Sequence, residues 1–204
     1  MKIIVFGNND VSQLAKFYIE NDTEDTFECY CVDDDFQKNN ETLHWSGVLD
    51  KYDRDECKIF APLYDNKLRE KKAKQVKNAG FQLYSYVSSK AAVFSPVGEN
   101  CFVMENNVIQ PFVSIGDNII MWSGNHIGHH STIHDNVFFS SHVVLSGHCK
   151  VEKYCWFGVN STIRDHVNIA EGTFVAMSSS VISNTEPYKK YIGNPAKQYG
   201  NVEK

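Results

Sequence analysis

The sequence predicts a two-part chain: an α/β N-terminal unit with a small Rossmann-like parallel sheet, then a parallel β-helix of hexapeptide repeats. Three observations carry that reading. Short apolar runs alternate with helical patterns over the first ninety or so residues, the order of a parallel α/β sheet. From Val97 to Val181 every sixth residue is apolar, at fifteen consecutive positions. Two residues before these positions, a second comb from Cys101 to Ser179 carries mostly small or β-branched residues. An α-helix cannot use this period, because each step of six turns the apolar position by about 240°. A large inward residue alternating with a smaller one fits a short strand and a tight corner. Three such steps close one triangular coil.

The elements follow in order. Residues 2–6, KIIVF, read as a buried strand ending at Gly7, and GNNDVSQLAKFYIEN as a turn and helix. Leu14, Phe17 and Tyr18, with Val11, are expected on its buried face. FECYCVDDD is a second strand running into three Asp, and CKIFAPL a third. A Lys-rich helix follows from about Asn66 to Ala79, stopped by Gly80. FQLYSYV reads as a fourth strand. The division is expected near residue 90, giving residues 1–90 and 91–204. Ligands in such sheets sit beyond the carboxyl ends of the strands. Those ends carry Gly7-Asn8-Asn9, Asp33-Asp34-Asp35 and Pro62-Leu63-Tyr64. There is no GxGxxG, so a dinucleotide site has little support. The acidic run reads equally as a ribose or base contact and as a solvated turn.

Composition narrows the class. The chain has 204 residues, 42% hydrophobic and 13% aromatic, which excludes a disordered chain. No apolar run reaches the roughly 18 residues of a membrane span. The N-terminus turns polar too soon for a signal peptide, so a cytoplasmic protein is expected. A net charge of −5 argues against a nucleic-acid binder. The one basic cluster, Lys67, Arg69, Lys71, Lys72, Lys74 and Lys77, reads as a solvated helix face. Cys101, Cys149 and Cys155 fall on the small inward comb and read as filler; no CxxC exists, and no residue is assigned as a metal ligand.

Eight His are the oddity of this composition, and five lie between His126 and His142. His129 stands two residues past the inward Ile127, so it projects from a corner. His130, His148 and His166 are each one coil apart and are expected to stack, roughly 4.8 Å from ring to ring. A solvated corner, phosphate recognition and a bound metal all remain open for that ladder.

The comb resembles the hexapeptide-repeat family, whose repeats form a left-handed β-helix and whose members are mostly trimeric acyltransferases. The order of Gly/Asn-bearing α/β unit, hexapeptide coil and GNPAK tail is similar to the bacterial sugar acyltransferases of the PglD/NeuD type, over nearly the whole chain. That resemblance implies an acetyl-CoA-dependent transferase acting on an amino or hydroxyl group of a nucleotide-activated sugar in polysaccharide biosynthesis, as a homotrimer. It implies that Gly7, Asn8, Asn9, Asp33 and Asp34 contact the nucleotide. It places the catalytic base at His129 within HIGHHSTI, with His130 where the family carries an acidic partner. It places CoA along Gly147, His142 and the tail Gly193-Asn194-Pro195. Asp135 is a candidate to orient His129, and His126 and His142 are the reserve bases. Backbone N–H groups of a coil turn suit the thioester oxyanion. Two other readings share the coil: a zinc-dependent enzyme of the gamma carbonic anhydrase type, and a non-catalytic scaffold.

Overall fold

The computed structural model describes residues 1–36 and 42–203. The first unit contains β1 (Lys2–Phe6), α1 (Asp10–Asp22), β2 (Thr26–Val32), β3 (Thr42–His44), α2 (Trp45–Lys51), β4 (Cys57–Phe60), α3 (Asn66–Asn78) and β5 (Gln82–Leu83). The five strands are parallel, in the order 3-2-1-4-5. All of β1 after Lys2 is buried, as expected for a central strand covered on both faces. The strand order reverses between β1 and β4, so the crevice for a ligand opens above Gly7 and above Pro62-Leu63-Tyr64.

Two helix faces differ from the sequence reading. The buried stripe of α1 is Val11, Ala15 and Ile19, spaced by four residues, while Phe17 is exposed. Phe17 stands two residues from Ala15, about 200° round the helix, so it cannot share that stripe. In α3, Lys67, Lys71, Lys74 and Lys77 are exposed as expected, but Arg69 and Lys72 are buried. Asp65 caps α3 by accepting the Leu68 N–H at 2.7 Å. At its other end, Gly80 at φ +83 allows the Gly80 and Phe81 N–H groups to reach back to Lys77 and Val76.

The run 81–87 does not form one strand. Gln82–Leu83 closes the α/β sheet, whereas Tyr86–Val87 pairs with Phe102–Val103 and begins the coil. Ala92–Val93 pairs likewise with Val108–Ile109, and from Phe102–Val103 two-residue strands recur every six residues to Ser180–Val181, with successive strands of one face paired in parallel eighteen residues apart. Three flat faces result: the triangular coil that the comb implies, and the left-handed parallel β-helix that the resemblance implies. The first face carries Phe102–Val103 and its repeats, the second Val108–Ile109, the third Ser114–Ile115. The large comb from Val103 to Val181 and the whole small comb are buried; Val97 at the open end is partly exposed. Phe139 and Phe157 stack at 4.8 Å inside, and Cys101, Cys149 and Cys155 fill space as reduced, buried residues.

The corners carry a third period that the sequence reading did not use. Every sixth residue from Asn100 to Ser178 has a positive φ, between +55° and +79°. Twelve of these fourteen are not glycine, and five are Asn and four are His, types that tolerate this region better than most. At the first corner, between first and second faces, Asn107 and Asn125 accept the Asn125 and Val143 N–H groups at 3.1 and 2.8 Å. These bonds tie successive coils together inside the turn.

The α/β unit docks on the first face and on the third corner, the one leading into it. Ile3, Val5, Val11 and Phe60 pack on Phe102, Ile120 and Phe138. The fully buried guanidinium of Arg69 donates to the Asn118 carbonyl at 2.9 Å, the Leu63 carbonyl at 2.5 Å and Asn66 Oδ1 at 2.8 Å. Desolvation pulls its pKa down to about 9, still far above neutrality, so it docks as a cation. Beside it, Asn100 exchanges two hydrogen bonds with Ala61, at 2.9 and 3.2 Å. Arg69→Met is expected to cost about 3 kcal/mol, because it orphans buried carbonyls. Lys71→Met, on the exposed face of the same helix, should stay within about 0.5 kcal/mol. Urea unfolding of both variants measures the difference.

Candidate functional site

The second corner, between the second and third faces, is the vertex opposite the docked face. Residues 110–113 form it in one coil, and 128–131, 146–149 and 164–167 in the next three. His129 and Gly147 therefore lie one above the other, as do Phe112, His130, His148 and His166.

His129 is exposed, and its position has three determinants. Its backbone N–H donates to Gln110 Oε1 at 2.8 Å, which pins the turn. Its ring lies over Gly147, where a Cβ would stand 2.8 Å from the ring Cε1. Its Nδ1 stands 3.0 Å from His130 Nδ1. Only one of two neutral rings can donate across that contact. When His129 donates from Nδ1, its Nε2 carries the free lone pair and His130 carries its proton on Nε2.

His130 lies between Phe112, tilted by 37° at 4.8 Å, and His148, stacked at 5.0 Å; His148 stacks on His166 at 4.7 Å and 2°. Three imidazoles thus stack along the vertex, with the His129 edge set against His148 at 5.1 Å and 88°. Desolvation in the stack, then the neighbouring imidazoles His166, His130 and His129, hold His148 below the ordinary histidine value, and Asp165 opposes them. As pH falls through the ordinary value of 6.5, the unfolded chain takes up this proton first, so stability is lost; above it the group contributes nothing.

Asp135, a candidate partner for His129, does not reach it. It belongs to the third corner, where Oδ1 accepts the Asp117 N–H at 3.0 Å and Oδ2 pairs with Lys153 at 2.9 Å. An eighteen-residue coil keeps the two corners on different edges. His126 points outward from the second face, half-buried between Val108 and Val144. His142 sits on the first corner, with its ring over Gly124. Gly193, Asn194 and Pro195 form a hairpin tip there, and the Gly193 N–H donates to Ser179 Oγ at 3.1 Å. Of the expected catalytic and CoA residues, then, His129, His130 and Gly147 come together at the second corner, and His142 and the tail lie on the first.

The expected nucleotide residues do gather at the crevice, but most already have work within the fold. Gly7 takes φ +110, and a Cβ there would stand 2.6 Å from Ser12 Oγ. Asn9 Oδ1 accepts the Ser12 N–H and caps α1. Asp33 pairs at 2.5 Å with the buried Lys72, and Asp34 accepts the Ser46 N–H at 3.0 Å near the start of α2. Asn8 is half-buried. Beyond Leu63, Tyr64 stacks on Trp122 at 5.9 Å and opens into a cleft lined by Asn66, Lys67, Tyr154, Trp156 and Phe174. Sequence reasoning missed Gln110 and Phe112 at the vertex. Coil arithmetic places both beside the histidines, one coil below, and could have found them.

The fold is that of solved sugar acetyltransferases. A histidine variant of perosamine N-acetyltransferase from Caulobacter crescentus, in complex with CoA and GDP-perosamine, superposes with a TM-score of 0.89 at 21% identity, over 98% of both chains. The acetyltransferase domain of PglB from Neisseria gonorrhoeae, in complex with acetyl coenzyme A, gives 0.84 at 19% identity, over 97% of this chain and 98% of that one. WeeI from Acinetobacter baumannii gives 0.83 at 18% identity, over 98% of this chain and all of that one. No family model and no curated protein matches by sequence.

Two measurements probe the vertex. Gly147→Ala should displace the His129 ring while leaving the coil intact, seen as a shifted His129 Cε1–H resonance with an unchanged melting temperature. Urea midpoints at pH 7.5 and pH 5.5 should diverge more in the native chain than in His148→Phe, which keeps the stack but cannot take a proton.

Proposed function

We propose that this chain transfers the acetyl group of acetyl-CoA to an amino group of a sugar carried on a nucleoside diphosphate. The observation that carries this reading is the His129–His130 Nδ1 contact over the Gly147 floor. It supplies a neutral imidazole with one nitrogen free to accept a proton, on a corner open to solvent. The structural neighbours that hold CoA and GDP-perosamine favour an amino acceptor over a hydroxyl. They also favour acyl transfer over the carbonic anhydrase and scaffold readings.

The chemistry needs little else. His129 Nε2 takes a proton from the attacking amine as its lone pair adds to the thioester carbonyl. The Gly147 N–H, one coil above, has no acceptor among the described residues and is placed to stabilise the oxyanion. As the carbonyl re-forms, CoA thiolate leaves and recovers the proton from His129. Amide and free CoA result, with no covalent enzyme intermediate. His130 does the work of a carboxylate here: its Nδ1 lone pair holds the His129 tautomer and tilt.

His129 stands at the vertex opposite the α/β unit of its own chain, so the nucleotide crevice that serves it belongs to another copy. We propose a homotrimer. The second corner of one copy would face the first corner of the next, so that His142 and Gly193-Asn194-Pro195 flank the CoA while Gly7, Asn8, Asn9, Asp33 and Asp34 border the nucleotide. Exposed Phe112, Val144 and Ile182 along these edges support such an interface. No helix in the described residues is long and apolar enough to cross a membrane. The resemblance to bacterial sugar acyltransferases is what leads us to place the enzyme in the cytoplasm, in polysaccharide biosynthesis.

CoA release over a panel of nucleotide-linked amino sugars tests the reading. His129→Ala should lower kcat by about 10²- to 10⁴-fold; full turnover in that variant would sink the mechanism. His130→Phe, which stacks but cannot accept, should lose much of kcat, and His130→Glu should recover part of it.

A further inference from the structure

We propose that His129, His130 and His148 also form a site for a divalent transition metal, Zn²⁺ in particular, whose occupancy silences the base. One ring nitrogen from each lies within 4.8 Å of the other two, with no metal needed to bring them there. The closest pair, Nδ1 to Nδ1, is 3.0 Å apart. Two imidazoles on one tetrahedral Zn²⁺, with bonds of about 2.0–2.1 Å, place their nitrogens about 3.4 Å apart. That pair is a few tenths of an ångström from a chelating separation, and His148, within 4.8 Å, has up to about 1.4 Å to close.

The backbone of the vertex is fixed, while its rings are exposed: His148 stacks between His130 and His166, and Phe112 lies tilted against His130. His130 and His148 hold left-handed backbone conformations, and the His148 N–H is bonded to the His129 carbonyl at 2.9 Å. Parallel stacked rings aim their in-plane lone pairs side by side, so the third ligand is gained by turning the exposed His148 ring out of its stack on His130. Three neutral imidazoles select Zn²⁺, Cu²⁺, Ni²⁺ or Co²⁺ over Mg²⁺ and Ca²⁺. All three are exposed, which leaves the fourth position to water. The exposed carboxylate of Asp165, 3.8 Å from His166, adds favourable charge nearby.

The consequence for catalysis follows from proton placement and rests on the acyl-transfer reading; the metal site itself does not. Metal on His129 Nδ1 displaces the proton shared with His130. In a neutral ring that proton moves to Nε2, the nitrogen that must be empty to act as base. No proton leaves the site and no residue is modified, so removing the metal restores the base.

The test uses tag-free, dialysed protein titrated with Co²⁺ and followed by visible absorption. One Co²⁺ per chain with the intense bands of a tetrahedral nitrogen site is expected, and stoichiometric Zn²⁺ should bleach them. His148→Phe keeps the ring stack and should weaken Co²⁺ binding at least tenfold, whereas His166→Phe should leave it unchanged. Absence of the bands, or their full retention in His148→Phe, overturns the proposal. The second readout is the ratio of CoA release with and without Zn²⁺. It should fall at least tenfold in the native chain, recover with EDTA, and fall far less in His148→Phe. Cobalt bands in a chain that releases no CoA with any acceptor would overturn the acyl-transfer reading alone. Zn²⁺ bound at the vertex with turnover unaffected would overturn the silencing.

Discussion

Everything in this molecule hangs on the chain returning to the same edge every eighteen residues. The return is made possible by a left-handed residue at every corner, fourteen in succession. For a non-glycine residue that conformation costs roughly 1–2 kcal/mol. Parallel rungs on both sides of each corner and two inward combs beneath it offset that cost. Asn tolerates the position best, and Asn107 and Asn125 add hydrogen bonds that lock one coil on the next. Once the return is regular, like stacks on like. Phe138, Trp156 and Phe174 stack outside the first face, and His130, His148 and His166 along the vertex, by the same geometry.

A second constraint sets what the vertex can do. Arg69 is buried at the joint and spends its donors on carbonyls and one amide of both units. Such a joint cannot slide, because each displaced carbonyl would be left desolvated and unpaired. The α/β unit is therefore held on one face while the histidines stand on the opposite vertex. Fixed geometry of this kind favours a site shared between copies over one closed by hinge motion within a chain.

In the proposed mechanism His130 stands where the resemblance implies a carboxylate, which changes the electrostatics of the proposed base. A carboxylate would hold an imidazolium firmly, whereas a neutral imidazole only orients the ring and offers little to the charged form. Two histidines in contact also repel once both are protonated, so this arrangement serves a base best when it is neutral. It also sets two Nδ1 atoms side by side, which the proposed metal would share once the bridging proton shifts to His129 Nε2.

The six-residue combs were legible because they are a property of side-chain size along the chain, repeated fifteen times. They determined the coil, its inward Cys residues and the alignment of His130, His148 and His166. The short β3 and α2 were not legible, since a three-residue strand and a seven-residue helix are too brief for any period to show. The run 81–87 looked like one strand because alternation says nothing about partners; Tyr86 left the first sheet because Phe102 was there to pair with it. Arg69 and Lys72 read as solvated because the carbonyls and the carboxylate that make their burial affordable come from elsewhere in the chain. The sequence alone thus determined where each histidine stands along the coil. Only the tertiary structure decided that His129 meets His130 through Nδ1, that Gln110 pins it and that Asp135 lies on another edge. Periodicity fixes position, but a hydrogen bond depends on the direction of two side chains, and neighbours distant in sequence set that direction.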